Sequence, residues 1–302
     1  MTSSVDSSNI FRVDGIVAVI TGGGSAILTY GCDYTGIGLN MTRALAVNGA
    51  HKIYILGRRL DVLEKAAAEF PDVIIPHQAD VTSKTDLQAA VDRIKSEVGY
   101  HWTPVRFNPT ASLPELRQSL FTDFSMDGMN DALNLNITAA FFTMTAFLEL
   151  LDIGTQNALK GGFGKPLKEG SDVPSIQSQV IFTTSISAFS RHWTSSPPYL
   201  TSKVAIMQVA KHASSQLARF GIRVNAIAPG IYPSDLAAVL ISSRKPEEEV
   251  AHDDRFIPAR RFGGDEEMAG AILYLTSRAG SYCNGLILTT DGGRLSVMNA
   301  TY

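Results

Sequence analysis

Short Val- and Ile-rich runs alternate along this chain with longer segments of helical period. "IVAVIT" at 16–21, "KIYIL" at 52–56 and "VIIP" at 73–76 are separated by helical patterns at about 39–47 and 60–69. Farther on, "QVIFTT" at 179–184, "IRVNAIA" at 222–228 and "LILTT" at 286–290 read as strands, with helices at about 131–151 and 200–219 among them. Such alternation restricts the chain to an α/β fold, a doubly wound parallel sheet flanked by helices. No internal repeat or linker divides the 302 residues, and an apolar fraction of 45% is ample for one continuous core, so a single domain over 1–302 is expected.

Two stretches fit this scheme badly. In "YHWTPVRFNPTASLPELRQ", from Tyr100, Pro104, Arg106 and Pro109 crowd the place where a central strand belongs. The segment 152–178, with five Gly and two Pro, reads as a long surface loop. Other functions are excluded by composition. A formal charge of -3 gives no basic field for nucleic acid, and two cysteines, Cys32 and Cys283, make no disulfide framework. The start, "MTSSVDSSNI", lacks the order of a secretory signal, and the apolar stretch 137–151 is too short for a membrane span. A soluble cytoplasmic protein without nucleic-acid or membrane partners is expected, and no residue cluster has metal-ligand spacing.

The first strand runs into "TGGGSAILTYGCDYTGIG" and then a helix, a context in which clustered glycines bring backbone N–H groups and a helix N-terminus to a pyrophosphate. Gly22 and Gly24 stand on one side, Gly36, Ile37 and Gly38 on the other; without residues 25–34 the string would be the compact turn "TGGGTGIG". The insertion has three open outcomes: it loops outward while its ends meet, folds across the pocket, or disorders the turn. The glycines also have an ordinary reading as a strand–helix corner. After the second strand, Gly57 occupies the place of the carboxylate that selects NAD, and Arg58 or Arg59 offers a partner to a 2'-phosphate, which favours NADP(H). Two solvated arginines at a helix start are the plain alternative. Asp80, at the end of the third strand, either accepts from adenine or caps the next helix.

"YLTSK" places Tyr199 and Lys203 four apart on one helix face, so that the ammonium favours phenolate and makes the phenol a usable acid. Ser185, fourteen residues before Tyr199, ends the preceding strand and can reach the same substrate oxygen. Asn136, in an apolar helix, adds a buried amide; Asn134 is the alternative inward residue, and either has an ordinary role as a satisfied core amide. His192 either assists proton transfer or is polar surface.

Together these motifs give the chain a strong similarity to the classical short-chain dehydrogenase/reductase family. They are the split "TGGG…TGIG", Asp80–Val81, "NLNIT" around Asn136, "TTSIS" around Ser185, "YLTSK", "IRVNAIAPG" followed by Ser234, and "TTDGG" at 289–293. The resemblance covers nearly the whole chain and implies a Rossmann-type domain. It implies Tyr199 as proton donor, Lys203 on the nicotinamide ribose, Ser185 orienting the carbonyl, and Asn136 holding a water linked to Lys203. Pro229, Gly230, Ile231 and Ser234 then face the carboxamide or pyrophosphate, and Val81 and Asn108 lie on the adenosine half. The chain departs from the family at 25–34 and at "FNPT" (107–110), where Pro109 stands for a glycine of the family's Asn-Asn-Ala-Gly segment.

Two functions follow: an NADP(H)-dependent carbonyl reductase or alcohol dehydrogenase, or a protein of this fold with impaired dinucleotide binding that isomerises, dehydrates or cyclises its ligand, or is an inactive scaffold. Phe189, Trp193, Pro197 and Pro198, with Arg191 and His192, suggest a bulky, partly aromatic ketone or alcohol of the kind met in secondary metabolism. A lid is expected over 231–258, with Glu247 to Glu249 as a solvated face. The family resemblance implies a homodimer or homotetramer through the long helices.

Overall fold

A computed structural model of the chain describes residues 11–21, 26–29, 32–35, 37–79, 106–234, 237–241 and 244–298. Strand β1 (Val17–Thr21) is followed by β2 (Ala26–Thr29), β3 (Cys32–Thr35), helix α1 (Ile37–Val47), β4 (Lys52–Gly57), α2 (Leu60–Ala67) and β5 (Ile74–Gln78). The second half carries α3 (Leu113–Arg117), α4 (Met126–Leu133), α5 (Ala140–Ala146), α6 (Leu148–Leu159), β6 (Gln179–Thr183) and α7 (Pro197–Leu217). It closes with β7 (Arg223–Pro229), α8 (Ala238–Ile241), α9 (Asp265–Thr276) and β8 (Ile287–Thr290).

Among the described residues the parallel strands form two ladders, in the orders β1-β4-β5 and β6-β7-β8. One core joins them. Ile53, Ile55 and Ile74 of the first ladder share a buried cluster with Ile227 of β7 and with Met268 and Leu275 of α9. A second cluster sets Val224 and Ala226 of β7 against Met144 of α5 and Ile206 and Ala210 of α7. Because strand side chains alternate, Val224 and Ala226 face one way and Ile227 the other. All seven residues of β7 are buried, as a central parallel strand covered by helices on both faces requires. Each fully buried aliphatic side chain contributes about 1.5–3 kcal/mol. The fold is a single doubly wound α/β domain.

The strand expected at 73–76 runs from Ile74 to Gln78 and contains Pro76. Its only described neighbour is β4, so Pro76 sits where a missing N–H costs least. The loop expected over 152–178 starts later, because α6 continues to Leu159. Thr155 and Ala158 are buried there, and Gly154 lets the chain at Ser178 approach, where an added Cβ would meet Ser178 Oγ at 2.7 Å. The helix expected at 131–151 begins at Met126 and contains a π-turn, Asn134–Ala139. Residues 100–105 lie outside the described residues. Beyond them, 106–112 holds no strand, and Asn108 closes a turn by accepting from Thr110 N–H at 3.1 Å and Thr110 Oγ1 at 2.9 Å.

Within the insertion, β2 and β3 form an antiparallel hairpin of their own, with Ala26 opposite Thr35 and Thr29 opposite Cys32. Directly opposed residues lie about 4.5–5.5 Å apart at Cα, so the hairpin returns the chain close to where it left. Because the hairpin's ladder is its own, deleting residues 25–34 shifts the thermal midpoint by less than about 5 °C, since shortening a connection changes little closure entropy. A thermal unfolding scan checks this, and loss of the cooperative transition would contradict it. Among the described residues no single helix is long and apolar enough to cross a membrane.

Candidate active site

Strand β6 stops at Thr183, and the next two residues begin the site. Thr184, almost fully buried, donates its hydroxyl to Lys203 O at 2.7 Å and ties the strand end to α7. Ser185 is extended and caps the 3-10 turn Ile186–Phe189, its Oγ accepting from Ser187 N–H at 3.1 Å. The turn packs against α7, which opens on Pro197 and Pro198, residues whose missing N–H is no loss in a first helical turn.

One turn in, Tyr199 and Lys203 share a face, with Lys203 Nζ 5.5 Å from the centre of the Tyr199 ring. Lys203 Nζ donates to Thr183 O at 3.1 Å, and the Ser185 hydroxyl is near enough to Tyr199 to act on its phenol. Burial holds the phenol above its ordinary pKa, with the Ser185 hydroxyl pulling the other way, so Tyr199 is a protonated acid near neutral pH. Desolvation lowers Lys203 to about 8. An ammonium poised there responds strongly to any negative charge placed beside it.

Asn136 lies on the π-turn, a helix irregularity frequent at functional sites, and is half-buried while Asn134 is exposed. Its Nδ2 donates to Ser202 Oγ at 3.0 Å, and Ser202 Oγ donates to Tyr199 O at 2.8 Å. The amide therefore braces the catalytic turn of α7 through a hydroxyl. Ser202, fully buried, and Thr184 escaped the sequence reading. Their signal was a small polar residue adjoining each motif residue, Ser202 before Lys203 and Thr184 before Ser185.

Ile37 and Gly38 open α1, whose first turn carries no acidic residue to oppose an anion at its positive end. Arg58 and Arg59 follow the carboxyl end of β4; Arg58 is half-buried, and Arg59 is exposed at the N-cap of α2. At the end of β7, Pro229 leads to Gly230, whose N–H donates to Thr290 O at 2.9 Å. A Cβ on Gly230 would lie 2.7 Å from Asp291 Cα, so only glycine allows this approach. Ile231 O accepts from Gly263 N–H at 3.0 Å, and Ser234 Oγ accepts from Ala237 N–H at 3.3 Å. Gly22, Gly24, Gly36, Asp80 and Val81 lie outside the described residues. Asn108 is described, but its side-chain oxygen is engaged in the turn with Thr110.

The expected lid contains one turn of helix, α8, and Glu249 is no solvated residue. It pairs with Arg244 at 2.8 Å, the two side chains being 9% and 6% exposed. His192 is neither surface nor turned to Tyr199: it is buried, with Nδ1 on Thr194 Oγ1 at 2.9 Å and Nε2 4.0 Å from Asp254. A cavity of about 460 Å³ lies behind Gly230, between Tyr232, Ile257, Arg261, Glu267 and Leu288; Ser185, Tyr199 and Lys203 do not line it.

Residues 17–161 match the short chain dehydrogenase family profile, and residues 166–294 match the Enoyl-(Acyl carrier protein) reductase profile. The chain is 53% identical over 272 residues to the short-chain dehydrogenase/reductase SAT3 of Stachybotrys chartarum (strain CBS 109288 / IBT 7711), covering 87% of this chain and 100% of that protein. It is 38% identical to the short-chain dehydrogenase/reductase PhomF of Diaporthe leptostromiformis over 100% of this chain and 99% of that one. Among solved structures, a gluconate 5-dehydrogenase from Burkholderia cenocepacia J2315 in complex with NADP and tartrate superposes with a TM-score of 0.68 at 25% identity, over 96% of this chain and 99% of that one. Matches over nearly the whole length agree with the arrangement of Ser185, Tyr199 and Lys203, and the chain belongs to the classical short-chain dehydrogenase/reductase family of oxidoreductases.

Proposed function

We propose that the protein is an NADP(H)-dependent carbonyl reductase, or in reverse an alcohol dehydrogenase, acting on a bulky, partly aromatic ketone. The observation that carries this reading is that the end of β6 and the first turn of α7 bring Ser185, Tyr199 and Lys203 together, with the Lys203 ammonium 5.5 Å from the centre of the Tyr199 ring and the Ser185 hydroxyl acting against burial to lower the phenol's pKa. The residues on the cofactor side suit a dinucleotide: the first turn of α1 without an acidic residue, and the two arginines after β4. When bound, the nicotinamide supplies the hydride. Ser185 Oγ donates to the substrate oxygen and stabilises the charge that develops on it. Tyr199 Oη gives that oxygen its proton, and the Lys203 ammonium stabilises the phenolate left behind. Asn136, through Ser202, keeps the turn that carries the acid in place.

Choice of NADP(H) over NAD(H) rests on Arg58 and Arg59 following Gly57, with no carboxylate at that strand end. Charge-assisted bonds to a 2'-phosphate are worth about 1.5–3 kcal/mol each, so Arg58→Ala with Arg59→Ala weakens NADPH binding by at least about tenfold and leaves NADH nearly unchanged. Calorimetric titration with both cofactors measures the ratio; equal losses for the two would overturn the assignment.

A second reading draws on the Asn108–Pro109–Thr110 turn, which engages the asparagine oxygen where the family has a glycine-bearing segment. In that reading Tyr199 and Ser185 serve an isomerisation, dehydration or cyclisation without hydride, or the protein is an inactive scaffold. Saturable NADPH binding coupled to its oxidation by a ketone decides against it.

A further inference from the structure

Between residues 244 and 264 the chain forms turns but no helix or strand, so the carbonyls of this stretch need partners that no ladder or helix turn provides. Arginines supply them. The Arg294 guanidinium, only 5% exposed, donates to Asp254 O through Nη2 and to Phe256 O through Nη1 at 3.0 Å. Arg244 donates through Nη2 to Arg255 O at 2.7 Å, and Arg260 through Nε to Pro246 O at 3.3 Å. Three successive carbonyls, 254 to 256, are thus fixed by two buried guanidinium forks, whose rigid planar donors suit the task.

Glu249 ties the forks to one another. It accepts from Arg244 Nε at 2.8 Å and from Nη2 at 3.0 Å, the arginine and glutamate side chains being 6% and 9% exposed. Burial and then the charge of Arg244 hold Arg294 below the ordinary guanidinium pKa, and Glu249 leads the carboxylates that oppose this. Two like charges therefore share one buried place, and this carboxylate offsets both. Among the described residues neither large apolar cluster draws a member from 244–256, so the stretch can come loose while the core stays packed.

We propose that Glu249 is the centre of a clasp that holds residues 244–256 in one conformation in the free protein, so that the stretch is a fixed wall and does not close on a ligand as a lid. The clasp replaces secondary structure with charge-assisted bonds to the backbone, which are among the stronger ones a side chain makes. Its weak point follows from the same arrangement. Removing the carboxylate leaves two buried cations facing each other without compensation, and a buried pair broken on one side is strongly destabilised.

Trypsin tests this on the full-length chain without ligand. The Arg255 side chain is 56% exposed, so the bond from Arg255 to Phe256 resists cleavage only while its backbone is held. Cleavage there tracks the population of the opened form, and Glu249→Ala raises its rate about 100-fold with a cooperative thermal transition retained. Glu249→Gln, which keeps an acceptor for Arg244 but not the charge, raises it by less. The unaltered protein gives a second measurement that needs no variant. Its Phe256 amide, which donates to Asp253 O at 3.0 Å, exchanges its hydrogen at least about 100-fold more slowly than a free amide, and adding NADPH changes neither this rate nor the tryptic cut by more than about twofold. A cut unchanged in Glu249→Ala, or a Phe256 amide that exchanges freely until NADPH slows it, overturns the proposal. Both measurements are made on the unliganded chain, so they decide the clasp whether or not the protein reduces ketones.

Discussion

Replacing Tyr199 by phenylalanine lowers kcat for ketone reduction by about 10³-fold and leaves the dissociation constant for NADPH within about twofold, the loss general acids typically carry. The phenol occupies a half-buried place on the face of α7, where phenylalanine keeps the same ring and packing. Only the phenolic hydroxyl is removed, and Ser185 can still polarise a carbonyl. Steady-state NADPH oxidation and a parallel binding titration measure the two effects separately. Turnover within about tenfold of the unaltered protein would show that the proton comes from elsewhere.

Lys203→Met has a comparable effect on rate and an opposite one on stability. The ammonium stabilises phenolate, so its removal lowers kcat by about 10²-fold or more. In the unaltered protein kcat/KM for reduction falls as pH rises through about 8, where the ammonium is lost. For stability the sign reverses. The folded pKa, about 8, lies below the ordinary lysine value of 10.5, so between these limits the unfolded chain binds more protons and stability rises with pH. Below pH 8 the buried charge is a standing cost, and Lys203→Met removes it. The variant is therefore more heat-stable than the parent at pH 7, and the difference shrinks toward pH 10.5. Thermal unfolding of both proteins across this range checks it; a variant less stable at pH 7 would mean that Lys203 earns more from Thr183 O than it loses to burial.

Legibility of the site followed the range of the geometry. Tyr199 and Lys203 were readable because helix period alone puts them together, and Ser185 because it follows the end of an apolar strand just upstream. The strands of the second ladder were readable for a similar reason, since β7 is buried on both faces and shows as an apolar run broken only by Arg223 and Asn225. What depends on partners distant in sequence was not. The bond from Asn136 to Ser202 spans 66 positions, and that from Arg294 to Asp254 spans 40. Gly154 and its polar neighbours pointed to a loop, yet α6 runs on to Leu159 with Thr155 and Ala158 buried, and tertiary packing overrides local propensity. Glu249 reads as one of three exposed acids until the fold brings Arg244 against it. The insertion concealed a hairpin because short four-residue strands flanking Tyr30 and Gly31 carry little periodicity.

The central claim is that a phosphorylated dinucleotide binds beside Tyr199 and Lys203 despite the hairpin and the Asn108–Pro109 turn. Calorimetric titration of the full-length chain with NADPH tests it most directly. Saturable one-to-one binding in the micromolar range, retained by Tyr199→Phe and weaker for NADH, is the expected result. The absence of binding heat at millimolar NADPH would contradict it.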